Sequence, residues 1–390
     1  MKKNRYLEDI VIQDLRSKMV FIGGPRQVGK TTLSKEMIAK NFEFSRYYNW
    51  DYQPDRKKLL GGELPGEPGL IIFDEIHKHR KWKNLIKGIY DVHKDKYQII
   101  VTGSARLNVY RKSGDSLQGR YHYYTLHPFS VAEMENIKNS WQPYTEIKFS
   151  SQNYQTTLNA LYEYGGFPET IITQDKTTLR RWHNEKLERL FREDIRDIEN
   201  IRDINNMKLL GDLLPIKIAS QLSINSLRED LEVSHRAVTS WLNILESFYY
   251  HFRVYPYSAK SIRSIKKEPK IYLVDWSEIE NEGARFENLI ASHLLKYTNY
   301  LFERDGYKSG LFYLRNVDKK EVDFLVTIDN KPWFAVEVKL SETSPSKNLV
   351  YFKDRLKIPF NFQVVKQEGI DFIKDEVRVI SANKFLSGLV

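Results

Sequence analysis

Runs of consecutive apolar residues alternate with helical spacings along the first third of the chain. Lys18–Ile22 (KMVFI), the apolar part of Gly69–His77 (GLIIFDEIH) and Tyr97–Val101 (YQIIV) each read as a short strand buried on both faces, as in a parallel sheet. Between them, TTLSKEMIAKNF and WKNLIKGIYDVHKD read as helices; the second brings Leu85, Ile86, Ile89, Tyr90 and Val92 close to helical spacing. Strand, helix, strand predicts an α/β layer. From about Ser130 to Asn206 the pattern predicts mostly helix, interrupted by the turn signal Tyr164-Gly-Gly-Phe-Pro168. Asn206–Tyr257 holds three helical patterns and then the alternating FRVYPYS. In the third helix Val238, Trp241, Leu242 and Leu245 share one face, leaving His235, Arg236, Thr239, Ser240 and Asn243 outward. Near the end, helix 284–298 presents Phe286, Leu289, Ile290 and Leu294 as a stripe, and EVDFLVTI and WFAVEVKL alternate as two strands of a hairpin.

The first chemistry sits between the first strand and the first helix. Gly24, Pro25, Arg26, Gln27, Val28, Gly29, Lys30, Thr31 and Thr32 spell GxxxxGKT plus one threonine. Glycines let backbone N–H groups turn inward around a phosphate, the helix N-terminus adds its positive end, Lys30 reaches the terminal phosphates, and Thr31 offers a hydroxyl to magnesium. The second strand ends in Asp74 and Glu75, which supplies the matching acids: Asp74 to hold Mg2+ and Glu75 to orient the attacking water. The third ends in Thr102-Gly103-Ser104, so Thr102 or Ser104 is expected to sense the γ-phosphate, with a helix cap as the alternative role for Thr102.

The second constellation is carboxylate-rich. Glu287 lies beside the apolar stripe of its helix, Asp323 points away from the apolar face of its strand, and Glu337 and Lys339 point away together from theirs. An odd number of loop residues in the DNKPW turn sets Asp323 across from Glu337 or Lys339, and an even number separates them. If they converge, Asp323, Glu337 and Glu287 could hold Mg2+ or Mn2+, with Lys339 on the attacking water. Acid and lysine alternation is also common on solvated sheet faces.

The chain has 390 residues, 41% hydrophobic and 13% aromatic, which excludes a disordered or low-complexity scaffold and predicts two to four domains. A formal charge of +10 favours a polyanionic partner, and in the stretch SAKSIRSIKKEPK lysine and arginine outnumber acids five to one, readable as a nucleic-acid patch or a solvated linker. The chain lacks cysteine, which removes thiolate chemistry and fits a reducing cytoplasm. With no apolar run long enough to span a bilayer, a soluble, cytoplasmic protein without a membrane partner is expected.

GPRQVGKTTL, LIIFDEIHK, IIVTGSARL and LQGRYHYYTLHPFS together resemble the AAA-type ATPases that carry a C-terminal DUF4143 domain. YGGFPE, RFENLIASHLLK, EVDFLV and FAVEVKLS extend the resemblance along nearly the whole chain, and the last three also resemble a PD-(D/E)xK nuclease core, with Val322 where that motif has proline. The expected organisation is a doubly wound P-loop ATPase domain over 1–130, a helical lid or connector over 131–205, a winged helix over 206–265, read from its three helices and ribbon, and a restriction-endonuclease-like α/β domain over 266–390. The resemblance further implies ATP as the nucleotide and an arginine finger at Arg120 acting on a neighbouring subunit, so a homo-oligomer or another protein partner is expected. Arg120 can equally be a surface cation. The expected function is ATP hydrolysis coupled to DNA binding through Arg236, Thr239, Ser240 and Asn243, together with Mg2+- or Mn2+-dependent cutting at the C-terminal acids. The alternative is a nucleotide-gated interaction protein whose nuclease-like domain cuts nothing.

Overall fold

The computed structural model describes residues 3–104, 107, 117–195, 203–258 and 268–390. They fall into two compact units: one drawn from 1–127, 188–202 and 247–249, the other from 128–187, 203–246 and 250–390. Most of the basic stretch around 259–267 lies outside the described residues, as do 105, 106 and 196–202.

The first unit is built on five parallel strands, β1 (Met19–Gly23), β2 (Ser45–Asn49), β3 (Gly69–Asp74), β4 (Tyr97–Gly103) and β5 (Tyr121–Thr125), in the order β2-β3-β4-β1-β5. The three apolar runs of the sequence are the three central strands, buried on both faces as a parallel sheet between helices requires. Phe21, Ile71, Phe73, Ile99 and Val101 form one side of the core with Trp82 and Ile86 of the helix Trp82–His93. Register then does the positioning. Ile22 pairs with Thr102 and Thr102 with Asp74, so the segments that follow β1, β3 and β4 emerge on one edge of the sheet.

The second unit carries eight strands: β6 (His251–Pro256), β7 (Lys270–Leu273), β8 (Ser309–Arg315), β9 (Glu321–Ile328), β10 (Lys331–Lys339), β11 (Phe360–Val365), β12 (Asp371–Lys374) and β13 (Val377–Ser381). Their order is β12-β13-β11-β10-β9-β8-β6-β7. The central part runs helix Glu282–Asp305, antiparallel β8, β9 and β10, helix Lys347–Leu356, then β11 parallel to β10. Ahead of it, helices Ile204–Leu213, Ile224–Asp230 and His235–Ser247 precede the antiparallel ribbon β6–β7, and Gln221 makes an isolated bridge to Lys270. Val238, Trp241, Leu242 and Leu245 are buried, the face expected from their spacing.

Three observations bear on the expectations. β6 and β7 pair with each other and β6 also pairs with β8 at Tyr255–Phe312, so strands on both sides of the expected division at 265 share one sheet. Residues 137–153 are not helical. Pro143 and a run of polar residues disfavour helix there, and the segment is held by tertiary bonds: Asn139 Nδ2 and Trp141 Nε1 donate to carbonyls of 387–389, and Tyr144 Oη donates to Ile328 O at 2.6 Å. The third concerns parity. The β9–β10 turn has two residues, Asp329 and Asn330, both left-handed (φ 49° and 61°), an even loop that by itself would set Glu337 and Asp323 on opposite faces. A bulge between Pro332 and Phe334 inserts Trp333, after which Val336 pairs with Phe324, so the alternation places Glu337 directly opposite Asp323.

A buried charge network ties the helix Lys176–Arg189 to the segment after β7. Asp275, 1% exposed, accepts from Trp182 Nε1 (2.7 Å), Ser277 Oγ (2.6 Å) and Lys186 Nζ (3.3 Å), and Lys186 also pairs with Glu278 at 2.7 Å. The left-handed Gly165 (φ 73°) leaves room for it, since a Cβ there would meet Asp275 Oδ1 at 2.7 Å. Removing one member of such a network strands buried charge. Lys186→Met is therefore expected to destabilise this unit by about 3–5 kcal/mol, measured by urea unfolding; a change below about 1 kcal/mol contradicts the assignment.

Candidate functional site

At the edge defined by β1, β3 and β4, backbone conformation comes first. Gly24 has φ 146° and the carbonyl oxygen of Leu126 would lie 2.4 Å from a Cβ placed there, so only glycine fits. Gln27 (φ 61°) and Gly29 (φ 99°) are left-handed and bend the loop, and a helical run over 30–41 starts directly after Gly29. Lys30 is buried, its Nζ donating to Gly24 O (2.9 Å) and Pro25 O (2.8 Å), which holds the ammonium inside the turn. Pro25 and Val28 are buried; Arg26, Gln27, Thr31 and Thr32 face outward to different degrees.

Three hydroxyls converge on one carboxylate. Thr31 Oγ1 donates to Asp74 Oδ2 at 2.9 Å, Tyr47 Oη donates to the same oxygen at 2.7 Å, and Thr102 Oγ1 donates to Asp74 Oδ1. Thr102 is fully buried inside β4, so it caps no helix and instead orients Asp74. Ser104 Oγ reaches Glu75 Oε2 at 3.3 Å. Glu75 follows β3 in a left-handed conformation (φ 57°), its N–H donating to Thr102 O at 3.1 Å, with His77 Nε2 3.6 Å from its carboxylate. Burial pushes the Glu75 carboxyl above its usual range, and the charge of Lys30 opposes the shift. The residues present fit Mg-ATP: a glycine-bent loop with a buried ammonium suits the phosphates, and one hydroxyl with one carboxylate suits a magnesium held mainly through phosphate oxygens.

Two members of this site carried no readable signal. Arg5 is buried and donates to Val28 O (2.6 Å) and His127 O (2.5 Å), anchoring the loop from behind, though in MKKNRYLEDI it reads as one more solvated cation. Tyr47 belongs to β2, whose position beside β3 only the sheet order supplies. Arg120 lies at the opposite edge. Tyr121 pairs with Met19, so Arg120 precedes β5 a strand length, roughly 16 Å, from its own phosphate loop. Its guanidinium makes a two-pronged pair with Asp91 at 2.7 and 3.1 Å, which holds that carboxyl below its usual range.

In the second unit, Arg236, Ser240 and Asn243 are exposed and Thr239 partly so, on the outward face of the helix His235–Ser247. Thr239 Oγ1 donates back to His235 O at 2.8 Å, and Asn243 Oδ1 accepts from Arg253 of β6 at 2.8 Å.

The C-terminal acids meet, but around a lysine. Lys270 Nζ lies 3.3 Å from Glu287 Oε1, 3.4 Å from Asp323 Oδ1 and 2.7 Å from Glu321 Oε1. Tyr272 Oη donates to Glu287 Oε1 (2.7 Å), Val338 N–H to Asp323 Oδ2 (2.9 Å), and Lys339 Nζ to Glu337 Oε1 (2.9 Å). Burial and the Asp323 charge push both Glu287 and Glu337 above the usual carboxylate range. Burial opposes the Lys270 charge, yet the three carboxylates hold its ammonium above the usual lysine range. Among the described residues no group of three or more Asp, Glu or His is arranged to hold a metal ion. The set Glu287, Asp323 and Glu337, as placed, does not fit the expected Mg2+ or Mn2+: the Lys270 ammonium lies between two of its members, within 3.4 Å of an oxygen of each. Lys270 was missed because it closes a basic run that reads as linker.

An AAA domain model matches residues 16–135, a range that holds all five strands of the first unit, so this part of the chain is an AAA-like P-loop domain. Two domains of unknown function match the remainder, DUF8612 over 155–277 and DUF4143 over 282–385; the first spans the expected connector and three-helix element together. The chain is similar to "Uncharacterized protein MJ1544" of Methanocaldococcus jannaschii, 26% identical over 371 residues (90% of this chain, 81% of that protein). It is also similar to MJ1637 of the same organism, 23% identical over 402 residues (90% and 81%). Among solved structures, the Aeropyrum pernix ORC1 protein in complex with DNA aligns at 12% identity and a TM-score of 0.33, covering 74% of this chain and 91% of that one. Among the described residues no helix is long and apolar enough to cross a membrane.

The Thr102–Asp74 bond predicts a specific loss. Thr102→Val is expected to lower ATPase kcat about 10–100-fold, with binding of a fluorescent ATP analogue retained. Unchanged turnover would show that Asp74 is held well enough by Thr31 and Tyr47.

Proposed function

We propose that the chain is an Mg-dependent ATPase that couples nucleotide turnover to engagement of duplex DNA, and that its C-terminal unit grips rather than cuts. The observation that carries the ATPase reading is the hydrogen-bond chain from Thr31 through Asp74 to Thr102, which links the phosphate loop to the two strands beside it. Bound magnesium supplies neutralisation of the phosphate charge, with Thr31 and Asp74 as its protein partners. Loop amides and Lys30 bind and orient the triphosphate. Glu75, displaced from strand geometry by its positive φ, presents its carboxylate to the attacking water, and Ser104 sets that carboxylate's orientation. Arg120 is too far along the sheet to serve its own nucleotide, which supports a role on a neighbouring copy in a homo-oligomer.

For DNA, the supporting features are the formal charge of +10 and the exposed polar face of the helix His235–Ser247, which with the following ribbon is similar to a winged helix. The order helix, three antiparallel strands, helix, parallel strand supports a nuclease-like ancestry for the last domain. The second reading, a nucleotide-gated interaction protein, is favoured by one observation: Thr239 and Asn243 spend polar groups on bonds within the element, leaving Arg236 and Ser240 as the more available half of the face.

Glu75→Gln is expected to slow ATP hydrolysis about 10²–10⁴-fold while nucleotide binding persists; full turnover removes Glu75 from this role. Wild-type affinity for duplex DNA is expected to fall steeply with salt, and Arg236→Ala to reduce that slope by about 1. Affinity indifferent to salt favours the protein-docking reading. Plasmid incubated with the protein, ATP and Mn2+ is expected to stay intact.

A further inference from the structure

We propose that Lys270 is the resident cation of the C-terminal carboxylate centre: its ammonium occupies the point on which Glu287 and Asp323 converge, so the centre is complete without metal and pins the β6–β7 ribbon to the α/β core. This stands independently of the nucleotide and DNA-binding readings and deepens the reading that the C-terminal unit does not cut. Three carboxylates from two elements, Glu287 on the long helix and Glu321 and Asp323 on β9, approach one Nζ within 3.4 Å. Its side chain is 3% exposed, so it cannot swing into solvent to make way for an ion while the ribbon stays in place.

Coordination chemistry points the same way. Magnesium demands close to six oxygen ligands at about 2.0–2.1 Å, and manganese suits the same oxygen set. Here Glu287 Oε1 accepts from both Tyr272 and Lys270, Asp323 spends one oxygen on Lys270 and the other on Val338 N–H, and Glu337 Oε1 accepts from Lys339 and Ser346. Glu337 Oε2 is buried with no hydrogen-bond partner, but the point where Glu287 and Asp323 would join it around an ion is taken by the Lys270 ammonium. An ammonium neutralises carboxylates while offering no coordination position, and so cannot generate a metal-bound hydroxide.

Lys270 also arrives from elsewhere in the chain. It opens β7, pairs across the ribbon with Val254 and bridges to Gln221 ahead of the second helix of the three-helix element. The salt bridges therefore fasten that element to the long helix and β9. Lys270 acts as a positioning residue, and its expected signature is a trade between lysine and divalent ion.

The test uses the full chain without nucleotide, comparing wild type, Lys270→Met, Lys270→Arg and Asp323→Asn. Melting is followed in EDTA and in Mn2+, and bound Mn2+ is counted by electron paramagnetic resonance. Wild type is expected to melt alike in both buffers, with Mn2+ uptake the same as in Asp323→Asn. Lys270→Met is expected to melt roughly 5–15 °C lower in EDTA, to recover part of that loss in Mn2+, and to bind one further ion. Mn2+ uptake by wild type that Asp323→Asn abolishes would overturn the proposal, as would unaltered melting of Lys270→Met. Should Lys270→Met fail to fold, the wild-type and Asp323→Asn pair still decides, and Lys270→Arg, which keeps the charge, is expected to fold and bind no extra ion.

Discussion

The carboxylate of Asp74 accepts hydrogen bonds from groups on three other segments of one sheet: Thr31 after β1, Tyr47 on β2 and Thr102 on β4. Convergence of that kind requires parallel strands in a fixed register, because only then do four strand ends share an edge. The apolar runs of β1, β3 and β4 thus act indirectly on the site. Burying them on both faces sets the register, and the register sets the distance between the glycine-bent loop after β1 and the acids Asp74 and Glu75 at the end of β3. Backbone constraint does the rest, since Gly24 meets Leu126 too closely for any side chain and Glu75 departs from strand geometry at the first position past β3.

Much of this was legible because it is local. GxxxxGKT, the acids closing an apolar run, and the stripe Val238, Trp241, Leu242 and Leu245 each depend on spacing within a few residues, and spacing is what a sequence displays. Contacts made across the fold were not. Arg5 looks solvated until its guanidinium is seen on Val28 and His127. Segment 137–153 looked helical because its neighbours are, whereas its bonds run to residues two hundred or so positions away. The hairpin is the sharpest case. The alternation in β9 and β10 gives the right partners only when the loop parity is known, and that parity rests on a bulge at Trp333 that a two-residue turn would otherwise have contradicted.

The two acidic centres differ in what answers their charge. Around Asp74 the donors described are hydroxyls, which orient the carboxylate and leave its negative charge to be met by something that binds. Around Asp323 the answer is a buried ammonium fixed in a strand, supported by Lys339 on Glu337 and Arg315 on Glu321. Hydroxyls can be displaced toward a metal or a phosphate at modest cost, whereas removing a buried ammonium leaves carboxylates uncompensated in a low dielectric. The first arrangement therefore suits a site that exchanges ligands, and the second suits a fixed joint between the β6–β7 ribbon and the α/β core of its own unit.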